Sequence, residues 1–381
     1  MTTVKKIDLP EELYPSLSGI PNHIGAVLEI DLGAITHNYH FLRSQLATAQ
    51  CGAVLKADAY GLGLQTVSPV LKAAGCRNFF VAVLEEALSL RELFADRDIY
   101  AFNGLFPGTQ SLYSQNQITP VLNDLGQIAL WQNWAKSIGR PLPAIIQIDT
   151  GMWRVGLPPQ EVMQLAAEPE RLEGLDIRYV LSHLACSEQQ DHPKNNQQLE
   201  TFQHALSILP KTRASFANSH GIFLGPQYHF DLVRPGRSLY GLTSRTPEAH
   251  GMKSAVHVYA RIVQVSEASR GETIGYDATY HVKDPMKLAT LSIGYADGFS
   301  RSLTNCGIVY IGDTPAPVVG RVSMDLITID VSKVPTHDVY PGGWAEIIGD
   351  HISADDLAQA AGTNSREILV NLGKRYHRLY T

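Results

Sequence analysis

A single lysine at the end of a short apolar run is the clearest chemical signal in the chain. Ala53-Val54-Leu55 leads directly into Lys56, and small residues with two glycines follow as far as Gly63. A buried ammonium group is costly unless it is paired or used chemically. Lysine also loses its proton readily when it is desolvated, which makes it a Schiff-base former. We interpret Lys56 as an amine nucleophile or cofactor anchor, and the alternative is a lysine that reaches solvent from a strand end.

Two later segments have the composition of an anion site. Asn218-Ser219-His220-Gly221 offers a hydroxyl and the N–H groups of an incipient helix. Arg234-Pro235-Gly236-Arg237 offers a glycine that lets the backbone approach an anion closely. The alternative is two ordinary turns, and the residue types alone leave both interpretations open.

The elements that must position these residues alternate between strand and helix. Eight apolar segments are predicted strands: 52–55, 79–84, 99–102, 118–122, 144–148, 177–181, 215–217 and 231–233. Helical patterns between them include 85–94, 125–138, 159–167 and 195–209. This alternation predicts an α/β fold, a (β/α)8 TIM-like barrel over residues 33–252. In such a barrel Lys56 closes strand one beside strand eight, so a lysine and a phosphate cradle would meet. That pairing suits a phosphorylated aldehyde such as pyridoxal 5'-phosphate (PLP).

The predicted secondary structure changes after about residue 251, where the alternation of strands and helices ends. Predicted strands then follow one another at 256–265, 288–293, 307–311, 326–330 and 344–348, with Gly- and Pro-rich turns and a helix at 354–361. We predict a mainly β C-terminal domain over residues 253–381. The alternating strand at 26–32 is expected to join it, and residues 1–25 are interpreted as an irregular leader.

Composition limits the class of protein. The chain has 381 residues, 44% hydrophobic and 18% charged, with a net charge of −6, which is typical of a soluble globular protein. We find no basic cluster that would indicate a nucleic-acid partner. The four cysteines are scattered without metal-ligand spacing, so we expect no metal site and a reducing compartment. No signal-peptide core or membrane-length apolar run is apparent, and we expect a cytoplasmic protein with no membrane partner.

Several motifs carry a family resemblance, and they occur along the chain in the same order as in that family. They are the Lys56 segment, Asp149–Gly156, Ser182–Ala185, Val233–Gly241, Gly275–Tyr280, Ile293–Gly298 and Gly320–Asp325. Across roughly residues 26–380 they resemble the alanine racemase family. The resemblance implies a PLP-dependent enzyme of fold type III. Its implied reaction is the racemisation of L- and D-alanine by a two-base mechanism, with D-alanine supplied for peptidoglycan.

The resemblance also implies roles for barrel residues. Lys56 would carry the cofactor and act as the first base. Arg234 would face the pyridine nitrogen. It would leave the ring a weaker electron sink and favour reprotonation at Cα. Further implied cofactor contacts are Tyr60, His183, Asn218, Ser219, Gly236, Arg237 and Arg366.

Residues on the substrate side are implied in the same way. Tyr276 would be the second catalytic base, and its ordinary pKa of about 10 requires a cationic or hydrogen-bonding neighbour. Arg154 would clamp the substrate carboxylate, which Met324 and the N–H of Asp325 would also contact, and Tyr295 would narrow the entrance. In this family the tyrosine reaches the lysine of the other subunit, which implies an obligate homodimer with shared sites.

Three positions depart from the family pattern. Gln147 stands where many relatives carry a carbamylated lysine that orients the arginine at position 154. Trp153 replaces a smaller residue, and Arg366 stands at a usual tyrosine, where it could bind phosphate or alter the side-chain pocket. A racemase for serine or for a broader set of amino acids is therefore the main alternative. A non-catalytic PLP-binding protein is another, and a PLP decarboxylase is disfavoured by Arg234.

Overall fold

The computed structural model describes residues 13–242 and 251–381, which form two compact units. One unit is Gly33–Lys253, and the other joins Ser254–Thr381 to the described residues up to Leu32. Residues 1–12 of the predicted leader lie outside the described residues. Among the described helices, none combines the length and the apolar content needed to cross a bilayer.

The first unit contains a ring of parallel strands. Seven form one sheet: Ala53–Val54, Asn78–Val81, Asp98–Ala101, Thr119–Leu122, Leu142–Gln147, Leu175–Leu181 and Ala214–Ser215. Leu232–Val233 pairs in parallel with Gln50–Cys51, immediately before the first of these strands. Backbone N–H groups of Val54 and Arg234 donate to the carbonyls of Pro235 and Ala217, each at 2.9 Å, which closes the ring. The predicted eight-stranded barrel is confirmed.

Helices cover this ring on the outside. They are Leu32–Ser44, Leu64–Ala73, Leu84–Leu93, Gln110–Gln115, Leu125–Ile138, Pro159–Ala167 and Pro193–Ile208. Strands covered in this way are buried on both faces, as parallel sheets require, and every residue of Asn78–Val81 and Thr119–Leu122 is buried. Inside the ring, the aromatic rings of Phe80 and Tyr100 stack at 4.6 Å.

The second unit is built on one long strand. Val256–Ala268 pairs with three others in an eight-stranded sheet. The other strands are Ala26–Ile30, Met286–Leu291, Ile308–Ile311, Thr314–Pro317, Ile327–Asp330, Trp344–Ile348 and His377–Tyr380. Two helices follow, Ala354–Ala361 and Ser365–Val370. A separate short hairpin pairs Thr273–Ile274 with Tyr280–His281 and carries the Tyr276 loop.

The N-terminal strand Ala26–Ile30 is integral to this sheet. It runs antiparallel to Val256–Ala268 on one side and parallel to His377–Tyr380 on the other. Thr314–Pro317 is a strand at the edge of the sheet, although residues 312–315 are among the Gly- and Pro-rich segments that the sequence predicts as turns. An edge position tolerates Pro315 and Pro317 because a proline has no N–H to donate to a neighbouring strand.

Candidate active site

Lys56 lies at the carboxyl edge of the barrel, where a left-handed turn begins. The next four residues, Ala57 to Tyr60, have φ between 54° and 58° although none is glycine. Such backbone costs about 1–2 kcal/mol per residue, so surrounding contacts must hold it. Within the turn, the N–H of Ala59 donates to the Leu55 carbonyl at 2.9 Å, and Gly61 donates to Ala57 at 2.7 Å. Lys56 itself is half-buried.

A close backbone approach joins this turn to the last barrel strand. A Cβ on Gly236 would lie 2.4 Å from the Tyr60 hydroxyl oxygen and 3.3 Å from Val54 Cβ. The Ser219 hydroxyl accepts hydrogen bonds from the N–H groups of Gly236 at 2.9 Å and Ser238 at 3.3 Å. A side chain at position 236 would have to displace Tyr60, and backbone N–H groups, the Ser219 hydroxyl and the Tyr60 phenol lie together there.

Arg234 is buried among neutral acceptors. Its side chain donates to the Ser215 hydroxyl, to the Ser182 carbonyl at 2.6 Å and to the Phe216 carbonyl at 3.5 Å. Burial lowers the pKa of its guanidinium to about 9. No carboxylate of the described residues neutralises it, because no ion pair involves Arg234 there.

A polar network holds the loops after the fifth and sixth barrel strands. The Thr150 and Ser182 hydroxyls lie 2.9 Å apart. The fully buried Gln198 amide donates to Thr150 at 3.0 Å and to the His183 carbonyl at 2.9 Å. The Asn218 amide lies 3.5 Å from the His183 ring. The predicted cofactor contacts His183 and Asn218 are therefore neighbours on adjacent loops.

The predicted carboxylate clamp lies on an exposed loop. Trp153 is 75% exposed with φ of 55°, and Arg154 beside it is also exposed. Gln147 is buried, and its amide donates to the Val155 carbonyl at 3.3 Å. Within residues 13–242 and 251–381, no hydrogen bond joins the Gln147 amide to the Arg154 guanidinium. Gln147 thus contacts the backbone of this loop and not the Arg154 side chain.

Arg237 is buried and pairs with Glu188 at 2.6 Å. Its Nε donates to the Leu242 carbonyl at 3.0 Å, so Arg237 fixes the end of the cradle segment. Arg366 belongs to the other unit and lies half-buried at the start of Ser365–Val370. Its Nε donates to the Asn364 side chain at 3.2 Å.

In the second unit, Tyr276 projects from its hairpin loop and is 69% exposed. The following residue, Asp277, has φ of 59° and accepts a hydrogen bond from Arg321. A Cβ on Gly275 would lie 2.9 Å from the backbone N of Arg321. The loop that carries the phenol is therefore fixed from both sides while the phenol faces outward.

The other predicted substrate contacts form one surface. The N–H groups of Tyr295 and Ala296 donate to the carbonyls of Ser323 and Met324 at 3.1 and 3.0 Å, which joins the two loops. Tyr295 and Met324 are exposed. Arg375, which sequence reasoning missed, donates to both oxygens of buried Asp297 at 2.7 Å and to Asp325 at 2.6 Å. These two carboxylates raise the pKa of Arg375.

The described residues thus bring Lys56, Tyr60, Ser219 and Gly236 to one edge of the barrel, and they bring Tyr295, Met324 and Asp325 together on one face of the second unit. Sequence reasoning missed Glu86, Gln198, Ser215 and Arg375, which hold these residues. In the sequence, each of these four appears only as a polar residue inside a predicted helix or strand or near a motif, and this does not distinguish it from other polar residues. Within the described part of the chain, no cluster of His, Cys, Asp or Glu has the composition of a metal site.

Comparison with known proteins identifies the family. A protein-family model described as alanine racemase, N-terminal domain, matches residues 30–244. A second family model, described as alanine racemase, C-terminal domain, matches residues 255–380. The chain belongs to the alanine racemase family. The predicted resemblance is confirmed.

Individual relatives agree along nearly the whole chain. A catabolic alanine racemase of Agrobacterium fabrum is 44% identical over 93% of this chain and 91% of its own length. An alanine racemase of Brucella suis is 43% identical over 93% of both chains. The crystal structure of alanine racemase from Bartonella henselae with covalently bound pyridoxal phosphate has a TM-score of 0.91 and 41% identity, covering 94% of this chain and 99% of its own.

Proposed function

We propose that this chain interconverts L- and D-alanine with PLP as its cofactor. The observation that carries the proposal is the shared edge of the first and last barrel strands. There Lys56 ends one strand, and Arg234 and Gly236 end the other, joined by the hydrogen bond from Val54 to Pro235 at 2.9 Å. The named activity of the relatives supports the substrate.

The barrel residues fit PLP. The space above Gly236 is one that a Cβ would fill, and the Tyr60 hydroxyl and Ser219 border it. Backbone N–H groups and hydroxyls of this kind bind phosphate. The Bartonella henselae protein, which the barrel resembles, is described with covalently bound pyridoxal phosphate. We assign Lys56, Tyr60, Ser219, Gly236, Arg237, His183 and Asn218 to the cofactor.

When bound, PLP supplies an electron sink for the negative charge that develops at the substrate Cα. Arg234 would face the pyridine nitrogen, and its own acceptors Ser215 and Ser182 hold it in place. A guanidinium keeps its protons far better than a carboxylic acid does, so it would not protonate the ring nitrogen. The Lys56 amine would take or return the Cα proton on one side, and the Tyr276 phenol would do so on the other.

We propose that two copies of the chain share their sites. Support comes from Tyr276, Met324 and Leu326, large side chains that are each more than 40% exposed in the described chain. An exposed phenol cannot exclude water from a developing carbanion, so a second copy of the barrel would cover it. Tyr295 and the N–H of Asp325 belong to the same face, and Arg154 would clamp the carboxylate from the barrel side.

Replacing Lys56 by alanine tests the function. We expect loss of the visible absorbance of the lysine-linked cofactor and loss of racemisation in both directions, because no other amine can act at that position. Lys136→Ala, on an exposed helix face, is the matched control. Full racemisation by the Lys56→Ala protein would overturn the proposal.

Serine, or a broader set of amino acids, is the second candidate substrate. Exposed Trp153, neutral Gln147 and Arg366 all differ from the family pattern at the substrate side. Comparing kcat/KM for L-alanine and L-serine decides between them, and a higher value for serine would contradict the alanine assignment.

The cellular role stays a proposal of its own. We propose that the D-alanine supplies peptidoglycan, although two of the relatives carry the description "catabolic". A cytoplasmic location is supported by four free thiols, of which Cys51 and Cys76 are buried. A reducing compartment keeps such thiols free.

A further inference from the structure

Glu86 joins the loops after the first two barrel strands. It lies in the first turn of Leu84–Leu93, and its Oε1 accepts the N–H of Ala57 at 2.5 Å and that of Asp58 at 3.3 Å. Its Oε2 accepts the N–H of Ala82 at 2.9 Å and that of Val83 at 3.4 Å. One carboxylate therefore takes four backbone donors from two loops.

Half of these contacts have a local explanation. A glutamate at the third helical position commonly reaches back to the backbone N–H at the start of its own helix. That accounts for the Oε2 contacts to Ala82 and Val83. It does not account for Oε1, which reaches residues 28 and 29 positions earlier in the chain.

The contacts to Ala57 and Asp58 fall on strained backbone. Both residues have positive φ, in the turn that begins directly after Lys56 and ends at Tyr60. An L-residue in this conformation persists only where its surroundings determine it. A hydrogen bond to a charged acceptor is stronger than one to a neutral acceptor, which makes a carboxylate suited to the task.

The turn also lies between two residues of the proposed cofactor site. Lys56 precedes it, and Tyr60, whose hydroxyl lies against Gly236, closes it. Beyond the turn, the Asp58 side chain accepts the N–H of Leu64 at 2.7 Å, so the turn leads directly into the helix Leu64–Ala73. We propose that Glu86 is a positioning residue that holds this turn, and with it Lys56 and Tyr60, in place for the cofactor. This inference rests on the proposed function.

Glu86→Gln tests the inference, because the amide keeps one acceptor oxygen and presents N–H groups to the other pair of donors. The neighbouring Glu85→Gln is the matched control: it removes the same charge from the same helix turn, and its side chain is exposed. The first measurement is hydrogen exchange at the amides of Ala57 and Asp58 in protein stripped of PLP. We expect exchange about tenfold faster than in wild type or Glu85→Gln, the effect of losing roughly 1.4 kcal/mol of hydrogen bonding.

The second measurement is the visible spectrum of the protein reloaded with PLP. A displaced Lys56 should shift the pH midpoint of the absorbance of the lysine-linked cofactor, and release of PLP should be faster. A role limited to helix capping would lower the melting temperature while leaving the spectrum and the exchange at residues 57 and 58 as in wild type, which would overturn the inference.

If Glu86→Gln does not fold, Glu86→Asp keeps the charge but shortens the side chain by one methylene. It should show the same changes in smaller size, and wild-type exchange in a folded Glu86→Asp protein would equally overturn the inference. Because exchange is read without cofactor, failure of this inference is distinguishable from failure of the proposed racemisation, which Lys56→Ala tests separately.

Discussion

The two units hold their proposed site residues by opposite means. In the barrel, Arg234 is 3% exposed and bonded to a hydroxyl and two carbonyls, all neutral. In the β unit, the exposed loops of Tyr295 and Met324 are joined by Arg375, whose partners are the carboxylates of Asp297 and Asp325. The barrel thus offers a buried, preformed interior, and the β unit offers a fixed surface.

These two arginines show what the difference means physically. Burial without a carboxylate lowers the pKa of Arg234 to about 9, and two carboxylates raise that of Arg375. A guanidinium already paired with a carboxylate has less to donate to a ligand. Arg234 therefore suits a contact to a cofactor ring, whereas Arg375, which is itself exposed, suits a structural role that links Asp297 to Asp325.

The largest effect should come from the β surface. Tyr276→Phe removes a proposed acid–base group, worth about 10²- to 10⁴-fold in rate. Because the phenol is exposed, the free energy of unfolding should change by less than about 0.5 kcal/mol. Racemisation assays and denaturant unfolding measure the two effects, and Tyr280→Phe, in the same hairpin, is the control.

Either of two results for Tyr276→Phe would break the comparison. Unchanged racemisation would favour the non-catalytic PLP-binding alternative. A loss of stability well above about 1 kcal/mol would show that the phenol is packed within its own β unit and does not belong to its exposed surface.

The next effect tests the rigidity of the barrel interior. Gly236 has a negative φ of −127°, so Gly236→Ala does not place a side chain in the left-handed region, and the new Cβ would lie 2.4 Å from the Tyr60 hydroxyl. Overpacking of this kind costs about 1–3 kcal/mol. We therefore expect PLP affinity, measured by fluorescence titration, to fall roughly five- to hundredfold.

A second substitution identifies the cause. Adding Tyr60→Phe to Gly236→Ala removes the Tyr60 hydroxyl oxygen, the atom nearest to the new Cβ. Gly236→Ala should therefore lower PLP affinity less in the Tyr60→Phe protein than in wild type. Wild-type affinity in Gly236→Ala would mean that Tyr60 moves aside freely, and the description of a preformed interior would be wrong.

The architecture was readable from the sequence because its signals are local. Apolar runs separated by helical spacing predicted all eight barrel strands. The bounds of Leu125–Ile138 were also predicted, where Asp124 accepts the N–H of Gln127 at 2.8 Å and Gly139 follows with φ of 66°. Leu64–Ala73 was not predicted, since glycines precede it and it contains Pro69.

The site was readable only in part. Lys56 and Gly236 stand out by residue type, because a lysine after an apolar run and a glycine in a turn each suggest a use. The left-handed turn after Lys56 has no sequence signal, since alanine and tyrosine do not prefer positive φ. It depends on Glu86, a contact between segments distant in the chain, and a glutamate in a first helical turn reads only as favourable to the helix dipole.

The smallest effect should separate the units by their response to pH. In the β unit the His351 ring lies 3.1 Å from both buried Glu346 and exposed Asp313 and stacks on Tyr310. Hydrogen bonding to Glu346 raises the pKa of His351 above its ordinary value of 6.5. The protonated ring thus stabilises the fold fully below pH 6.5, and this contribution is lost as pH rises through the higher pKa of the folded protein.

Unfolding measured from about pH 6 to pH 9 should therefore show wild-type stability falling relative to His351→Gln across that window. The difference should stay below about 1 kcal/mol, because the ring is partly solvated and solvent screens its charges. His337→Gln, on an exposed residue of the same unit, should follow wild type. If the free energies of unfolding of wild type and His351→Gln changed with pH in parallel, the His351 contacts would not respond to proton binding. The β unit would then resemble the barrel, whose neutral contacts we expect to be insensitive to pH.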